Sequence, residues 1–198
     1  MAQTSFAHEF SQRHPGLELR QSPGRGWGVF TTVARARGEV LMREQAMISI
    51  PPGGTCLPGL LSAFASFDEE EKATYMRLYN AHATSGSPRN ETVRQIFRTN
   101  AFGCNKEGWR LYNDISRINH SCAPNCVQGW SEDEGWGEAM AVEDIPAGAE
   151  ITISYIALEA EQMDKIGHRH VMLNGMWEFV CGCPRCERER IVSKGENG

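Results

Sequence analysis

The chain has 198 residues, enough for one well-filled core with a small appended lobe and too few for two large domains. Its 40% hydrophobic and 23% charged content is that of an ordinary globular protein, with no apolar run long enough to cross a bilayer. A formal charge of −5 argues against direct nucleic-acid binding, which needs clustered Lys and Arg against phosphate, and suits a basic peptide better.

The first residues, Met1 to Glu9, lack the basic flank and apolar run of a secretory or organellar signal. An intracellular protein, nuclear or cytoplasmic, is expected. Its seven cysteines are then thiols or metal ligands rather than disulfides.

Residues 1–16 read as an N-terminal extension. Between 17 and 50, Gly28 to Val33 and Glu39 to Arg43 are β-prone runs punctuated by Pro23, Gly24, Gly26 and Gly38, which predicts a small twisted sheet. Pro51 to Gly54 breaks it, and a helical insert follows over about 55–97. There Ser66 or Asp68 caps a helix whose Tyr75, Leu78, Tyr79 and His82 share one face. The acidic run Asp68 to Glu71 suits the positive end of that helix.

After the polar break Thr84 to Asn90, Val93, Ile96 and Phe97 form one face of a second helix. Cys126 to Trp130 and Glu138 to Val142 predict a hairpin around the acidic Ser131 to Gly135. Asp144 to Gly148 is a turn into a strand, Glu150 to Tyr155, with Ile151 and Ile153 on one side and Thr152 and Ser154 on the other. Residues 158–173 are helix-prone, and Ile191 to Gly198 reads as a frayed polar tail. Many short strands, glycine turns and a few helices describe an irregular α+β fold, not a doubly wound parallel sheet.

Four clusters can carry chemistry. Gly26-Trp27-Gly28 is either a plain hairpin or a place where a ligand approaches the backbone without a Cβ in the way. Asn119 and His120 put an amide and an imidazole in one polar turn, and Tyr155 ends the strand Ile151 to Tyr155. Cys181, Cys183 and Cys186 supply three thiolates where tetrahedral zinc wants four, with Cys122 or Cys126 to complete the set. Cys56 and Cys104 are left as ordinary thiols. A redox role for Cys183-x-x-Cys186 lacks its βαβ context.

In chain order, Arg117-Ile-Asn-His-Ser-Cys-Ala-Pro-Asn-Cys126, Ile151-Thr-Ile-Ser-Tyr155 and Cys181-x-Cys-x-x-Cys186 resemble the catalytic half of SET-domain lysine methyltransferases, of the SET-and-MYND type. The resemblance covers about residues 17–187. It implies a SET domain over 17–157, a fold of several small twisted β-sheets with a pseudoknot, then a post-SET zinc-binding segment over 158–190 and a tail over 191–198. The first half lacks the cysteine-rich MYND finger, since Met47 to Phe67 contains only Cys56, and the resemblance is not expected to extend to a long C-terminal helical domain.

By the same resemblance, Gly26, Trp27 and Gly28 form the S-adenosylmethionine loop. Asn119 and His120 hold the adenine and neighbouring groups, and Phe179 stacks on the adenine. Thr99 to Gly103 resembles a segment in which Asn100 touches cofactor and Phe102 lines the lysine channel, and Ser116 matches a lesser cofactor contact. Tyr155 is implied to point its hydroxyl at the reacting amine and the donor methyl, as both catalytic and cofactor-contacting residue. Trp177 stands in the channel where a Tyr is common, offering only an N–H donor. Cys122 is implied as the fourth zinc ligand with Cys181, Cys183 and Cys186, a full thiolate shell and therefore structural.

The expected function is S-adenosylmethionine-dependent protein-lysine N-methylation of a histone or non-histone substrate. The alternative is a catalytically inactive SET fold that binds a peptide or protein, motivated by Trp177. A zinc-stabilised structural domain without a ligand is the third reading.

Overall fold

A computed structural model describes residues 2–52, 56–104, 108–130, 136–159 and 161–195. In chain order the elements are α1 (Ala2–Arg13), β1 (Leu17–Ser22), β2 (Gly26–Thr31), β3 (Val40–Gln45), β4 (Ile48–Ile50), α2 (Cys56–Ser66), α3 (Glu69–Met76) and α4 (Arg89–Asn100). They continue with β5 (Phe102–Cys104), β6 (Gly108–Leu111), a 3-10 turn (Ile115–Arg117), β7 (Asn119–His120), β8 (Cys126–Trp130), β9 (Trp136–Ala141) and β10 (Thr152–Ile153). A second 3-10 turn (Glu161–Asp164), α5 (Ile166–Trp177) and α6 (Pro184–Gly195) complete the described chain. The acidic stretch 131–135 and the side chains of Cys56 and Cys104 lie outside the described residues.

The chain divides into two compact units. The first comprises Met1–Glu39, Ile118–Val127 and Met140–Gly198. In it β1 and β2 pair antiparallel from Leu17↔Thr31 to Ser22↔Gly26, so the run Gly28 to Val33 forms a strand two residues earlier, but not one sheet with Glu39 to Arg43, whose strand β3 joins β9 and β8 instead. Leu17, Leu19 and Val29 are buried, as is Phe10 on α1, which packs on β1 and gives the N-terminal extension a helical structure that its sequence did not announce.

The expected strand Glu150 to Tyr155 is corrected to the two residues of β10, which pair in parallel with β7 through Thr152↔Asn119 and Ile153↔His120. Its two-sided alternation is absent, because Ile151, Thr152 and Ile153 are all buried. The segment is held on both flanks: Ile151 donates its N–H to Val29 O (2.9 Å), and Ser121 N–H reaches Ile153 O (2.9 Å). The Asn125 side chain brackets the same stretch, donating to Glu150 O (2.9 Å) and accepting from Thr152 N–H (2.8 Å). A chain paired on either side reads as a continuous buried run, not as a half-exposed strand.

The C-terminal segment also departs from expectation. The helix-prone stretch becomes the turn Glu161–Asp164 and α5, and α6 carries the supposed frayed tail on to Gly195. Ile191 and Val192 are 70% and 60% exposed, so local order there comes from helical bonding and not from burial. Arg190 adds an ion pair with Glu187 (2.6 Å) and a bond to Cys181 O (2.9 Å).

The second unit comprises Val40–Arg117 and Gln128–Ala139. It holds the antiparallel sheet β4-β6-β5, strand β3 of the sheet β3-β9-β8, and the helical insert. Its core gathers Ile48, Ile50, Phe64, Tyr75, Ile96 and Phe97. Val93, Ile96 and Phe97 share the buried face of α4 as their spacing predicts. Asp68 caps α3 in a complete capping box with Glu71.

That helix stops at Met76, so Leu78, Tyr79 and His82 do not extend its face as expected, and Tyr79 is 68% exposed. The cause lies in α4, whose side chains capture the chain beyond Arg77 in a non-helical path. Asn100 Nδ2 donates to Tyr79 O (2.7 Å), Gln95 Oε1 accepts from Asn80 Nδ2 (3.0 Å), and Thr99 Oγ1 accepts from Ala81 N–H (3.2 Å). Thr99 and Asn100, by satisfying backbone groups in this way, compete directly with helix continuation.

Glu44, on β3, organises the turn that leads to the Asn-His pair. Its carboxylate accepts from the N–H groups of Asn113 (2.9 Å), Asp114 (2.9 and 3.0 Å) and Ile115 (2.9 Å), the orphan donors at the start of the 3-10 turn. Burial, reinforced by the Asp114 charge and opposed by these N–H bonds, pushes the Glu44 carboxyl up to about 7. In the unfolded chain Glu44 ionises near 4.5, so its contribution to stability is full below that pH and is lost as pH rises towards 7. The unfolding free energy of the wild type relative to Glu44→Gln should therefore fall between those limits; a pH-independent difference in denaturant melts would refute this. Glu44→Ala should destabilise by about 2–3 kcal/mol through the stranded N–H groups.

Candidate functional site

In the first unit, the turn Pro23 to Arg25 delivers the Gly26-Trp27-Gly28 strand, with Gly26 at φ +69°. Gly28 is needed for a different reason. A Cβ there would stand 2.3 Å from Glu150 Oε1 and 2.8 Å from Asn119 Nδ2, so only glycine admits the two polar side chains against β2. Asn119 donates through Nδ2 to Glu150 Oε1 (2.8 Å) and to Trp27 O (3.3 Å). Glu150 also accepts from Ser22 Oγ (3.0 Å) and pairs with the Arg25 guanidinium. Of the expected loop, Gly26 is placed no closer than the turn before, while Trp27 and Gly28 thus meet Asn119 around a carboxylate that sequence reasoning missed. Its one signal was an acid immediately before a buried apolar run.

Beside β7 and β10 lies an aromatic group. Tyr155 is 5.3 Å from the His120 ring, 5.2 Å from Trp177 and 6.5 Å, edge-on, from Phe179, and His120 stands 6.0 Å from Phe179. Tyr155 donates its O–H to Ile118 O (2.8 Å). Burial, helped by the Glu150 charge, drives its pKa above the ordinary phenol value, so the hydroxyl stays protonated and keeps its lone pairs to accept from a ligand.

His120 is buried, and burial holds its imidazole down at about 4, against a smaller opposing pull from Cys183. Its Nδ1 accepts the Tyr155 backbone N–H (3.0 Å), which puts the ring proton on Nε2, 3.2 Å from Cys122 Sγ. Both ring nitrogens are engaged within the protein. The side chain therefore supports Tyr155 and the cysteine turn.

Cys122, Cys181, Cys183 and Cys186 bring their sulfurs within 4.8 Å of one another, all buried. Cys126 is buried on β8 outside that group, and burial pushes its thiol up to about 12. Tetrahedral zinc with bonds of about 2.3 Å separates sulfurs by ~3.8 Å, and Cys186 and Cys122 stand 3.6 Å apart. Without a cation, hydrogen bonding to Cys181 and Cys183 pushes the Cys122 thiol up, whereas a bound divalent ion deprotonates its thiol ligands outright. The donor set fits zinc.

Arg169, also missed in the sequence, is fully buried beside the cysteines. It donates to Met163 O and Asp164 O (both 2.9 Å), to Glu189 Oε2 (2.6 Å) and towards Cys186 Sγ (3.7 Å). An arginine in a helix-prone stretch gives no sequence signal of such a role. Its charge opposes the net negative charge of a four-thiolate site.

The remaining expected residues lie in the second unit. Asn100 is buried and spends Nδ2 on Tyr79 O and Ile96 O (both 2.7 Å), while its carbonyl accepts from Ser116 Oγ (3.1 Å). Phe102 is half-buried, 5.9 Å from the Tyr112 ring.

The family model of the SET domain matches residues 26–156. The human protein-lysine N-trimethyltransferase SMYD5 is 41% identical over 86 residues, 43% of this chain and 20% of that protein. The Schizosaccharomyces pombe histone-lysine N-methyltransferase set5 is 28% identical over 173 residues, 87% of this chain and 51% of its own. A Gibberella zeae methyltransferase is 26% identical across 90% of this chain and 32% of its own length. The chain spans about half, or less, of these curated relatives.

One zinc per chain is expected by elemental analysis. Cys183→Ser should lose it, together with the amide-exchange protection of α5 and α6. Metal-free protein with those helices still protected would refute the assignment.

Proposed function

Because the chain belongs to the SET-domain family, we propose that it is an S-adenosylmethionine-dependent protein-lysine N-methyltransferase acting on a histone or non-histone protein. The observation that carries this reading is Tyr155: a phenol kept protonated by burial, anchored through Ile118 O, and grouped with His120, Trp177 and Phe179. The relatives' names, protein-lysine and histone-lysine methyltransferases, support lysine in a protein as the acceptor and a nuclear or cytoplasmic setting.

S-adenosylmethionine supplies an electrophilic methyl on a sulfonium. The chain's own residues bind and orient. The Gly26–Gly28 backbone and Asn119 would hold the cofactor and Phe179 would offer it a stacking face, while His120 steadies Tyr155 through the Tyr155 backbone N–H. Tyr155 accepts from the lysine amine, and Trp177 walls its approach. An apolar wall disfavours the ammonium and so favours the neutral, nucleophilic amine. Holding the amine beside the cofactor would supply much of the help that such a transfer needs.

Among the described residues no helix is long and apolar enough to cross a membrane.

Calorimetric titration of zinc-replete protein should show one-to-one binding of S-adenosylmethionine. Tyr155→Phe should leave that affinity within about threefold and lower turnover on a lysine peptide about 100-fold or more. Unchanged turnover removes Tyr155 from the reaction, and failure of the wild type to bind the cofactor removes the methyltransferase reading.

A further inference from the structure

An asparagine side chain presents two ends of nearly equal shape and opposite hydrogen-bonding sense, so its neighbours decide which end meets a ligand. For Asn119 both protein neighbours are acceptors, Glu150 Oε1 at 2.8 Å and Trp27 O at 3.3 Å. Nδ2 must therefore turn inward. Oδ1 has no hydrogen-bond partner among the described residues. We propose that Glu150 is a positioning residue that locks the Asn119 amide with Oδ1 free to accept, so that the site selects a ligand bearing an N–H donor.

The proposal rests on the cofactor-binding reading above and adds a basis for selectivity to it. Glu150 suits the task because its own surroundings are all donors. Ser22 Oγ (3.0 Å) and Arg25 hold Oε2, which leaves Oε1 to receive Asn119. The Glu150 side chain is 11% exposed, and Gly28 alone makes room for it against β2. In S-adenosylmethionine the donor has two candidate sources, the α-amino group and the adenine 6-amino group. Each offers the same chemistry to Oδ1.

Glu150→Gln tests the lock with almost no change of shape. A glutamine carries an N–H donor of its own, which can serve Asn119 Oδ1 and release the amide to flip. Zinc-replete full chain would be titrated calorimetrically with S-adenosylhomocysteine, with its analogue lacking the α-amino group, and with its analogue lacking the purine 6-amino group. The wild type should prefer the parent ligand over one of the two analogues by about tenfold or more, and that arm identifies the donor. Glu150→Gln should weaken the parent alone and erase the preference. Wild-type binding without preference overturns the proposal by itself, as does equal weakening of all three ligands by Glu150→Gln, which marks a merely structural role. No wild-type binding of any of them overturns the methyltransferase reading and this inference with it.

Discussion

Asn119–His120 and Thr152–Ile153 pair as two-residue parallel strands, and the candidate groups of the first unit take their positions from that pairing. On one side it sets Asn119 beside Glu150 and the glycine strand. On the other it sets the His120 ring beneath the Tyr155 backbone. So short a parallel ladder holds little energy of its own. Its flanks hold it: Ile151 is bonded to β2, Asn125 brackets Glu150 and Thr152, and Ile118, Ile151 and Ile153 are buried around it.

His120 joins two chemistries. One ring nitrogen takes the Tyr155 N–H and the other stands at Cys122, so the cysteine site and the phenol share a single imidazole of defined tautomer. Arg169 is fully buried beside the cysteines, holding carbonyls, a carboxylate and the edge of a thiol. A buried guanidinium is costly unless its hydrogen bonds and opposing charges compensate it, and a four-thiolate metal site supplies such a charge. The C-terminal helices are thus tied to the turn that carries Asn119 and His120 through the clustered sulfurs, the Arg185 bond to Cys122 O (3.4 Å) and the apolar cluster of Ile156, Met163 and Leu173 around the cysteines.

The glycine strand shows the complementary principle, function by omission. At Gly28 the useful property is the missing Cβ, whose space two polar side chains occupy. Those side chains then define the hydrogen-bonding sense of what is exposed beside them. Neither α3 nor α4 depends on such contacts. The boundaries of α3 follow a capping box at Asp68 and competition for backbone groups by Thr99 and Asn100.

The sequence by itself determined which short motifs are present and where local periodicity is strong. The Asn-His-Ser-Cys turn, the terminal cysteines, the apolar face of α4 and the hairpin strands of β8 and β9 were legible because each is encoded by neighbours a few positions apart. Only the tertiary structure decided the partners of those residues. Glu150 meets Asn119 across 31 positions and Cys122 meets Cys186 across 64, and no local pattern records such a closure. The same holds for Glu44, which caps a turn about 70 residues away, for Arg169 and for the end of α3 at Met76. Hydrogen-bond partners and burial are properties of surfaces brought together by the whole chain, and their energies appear only once those surfaces meet.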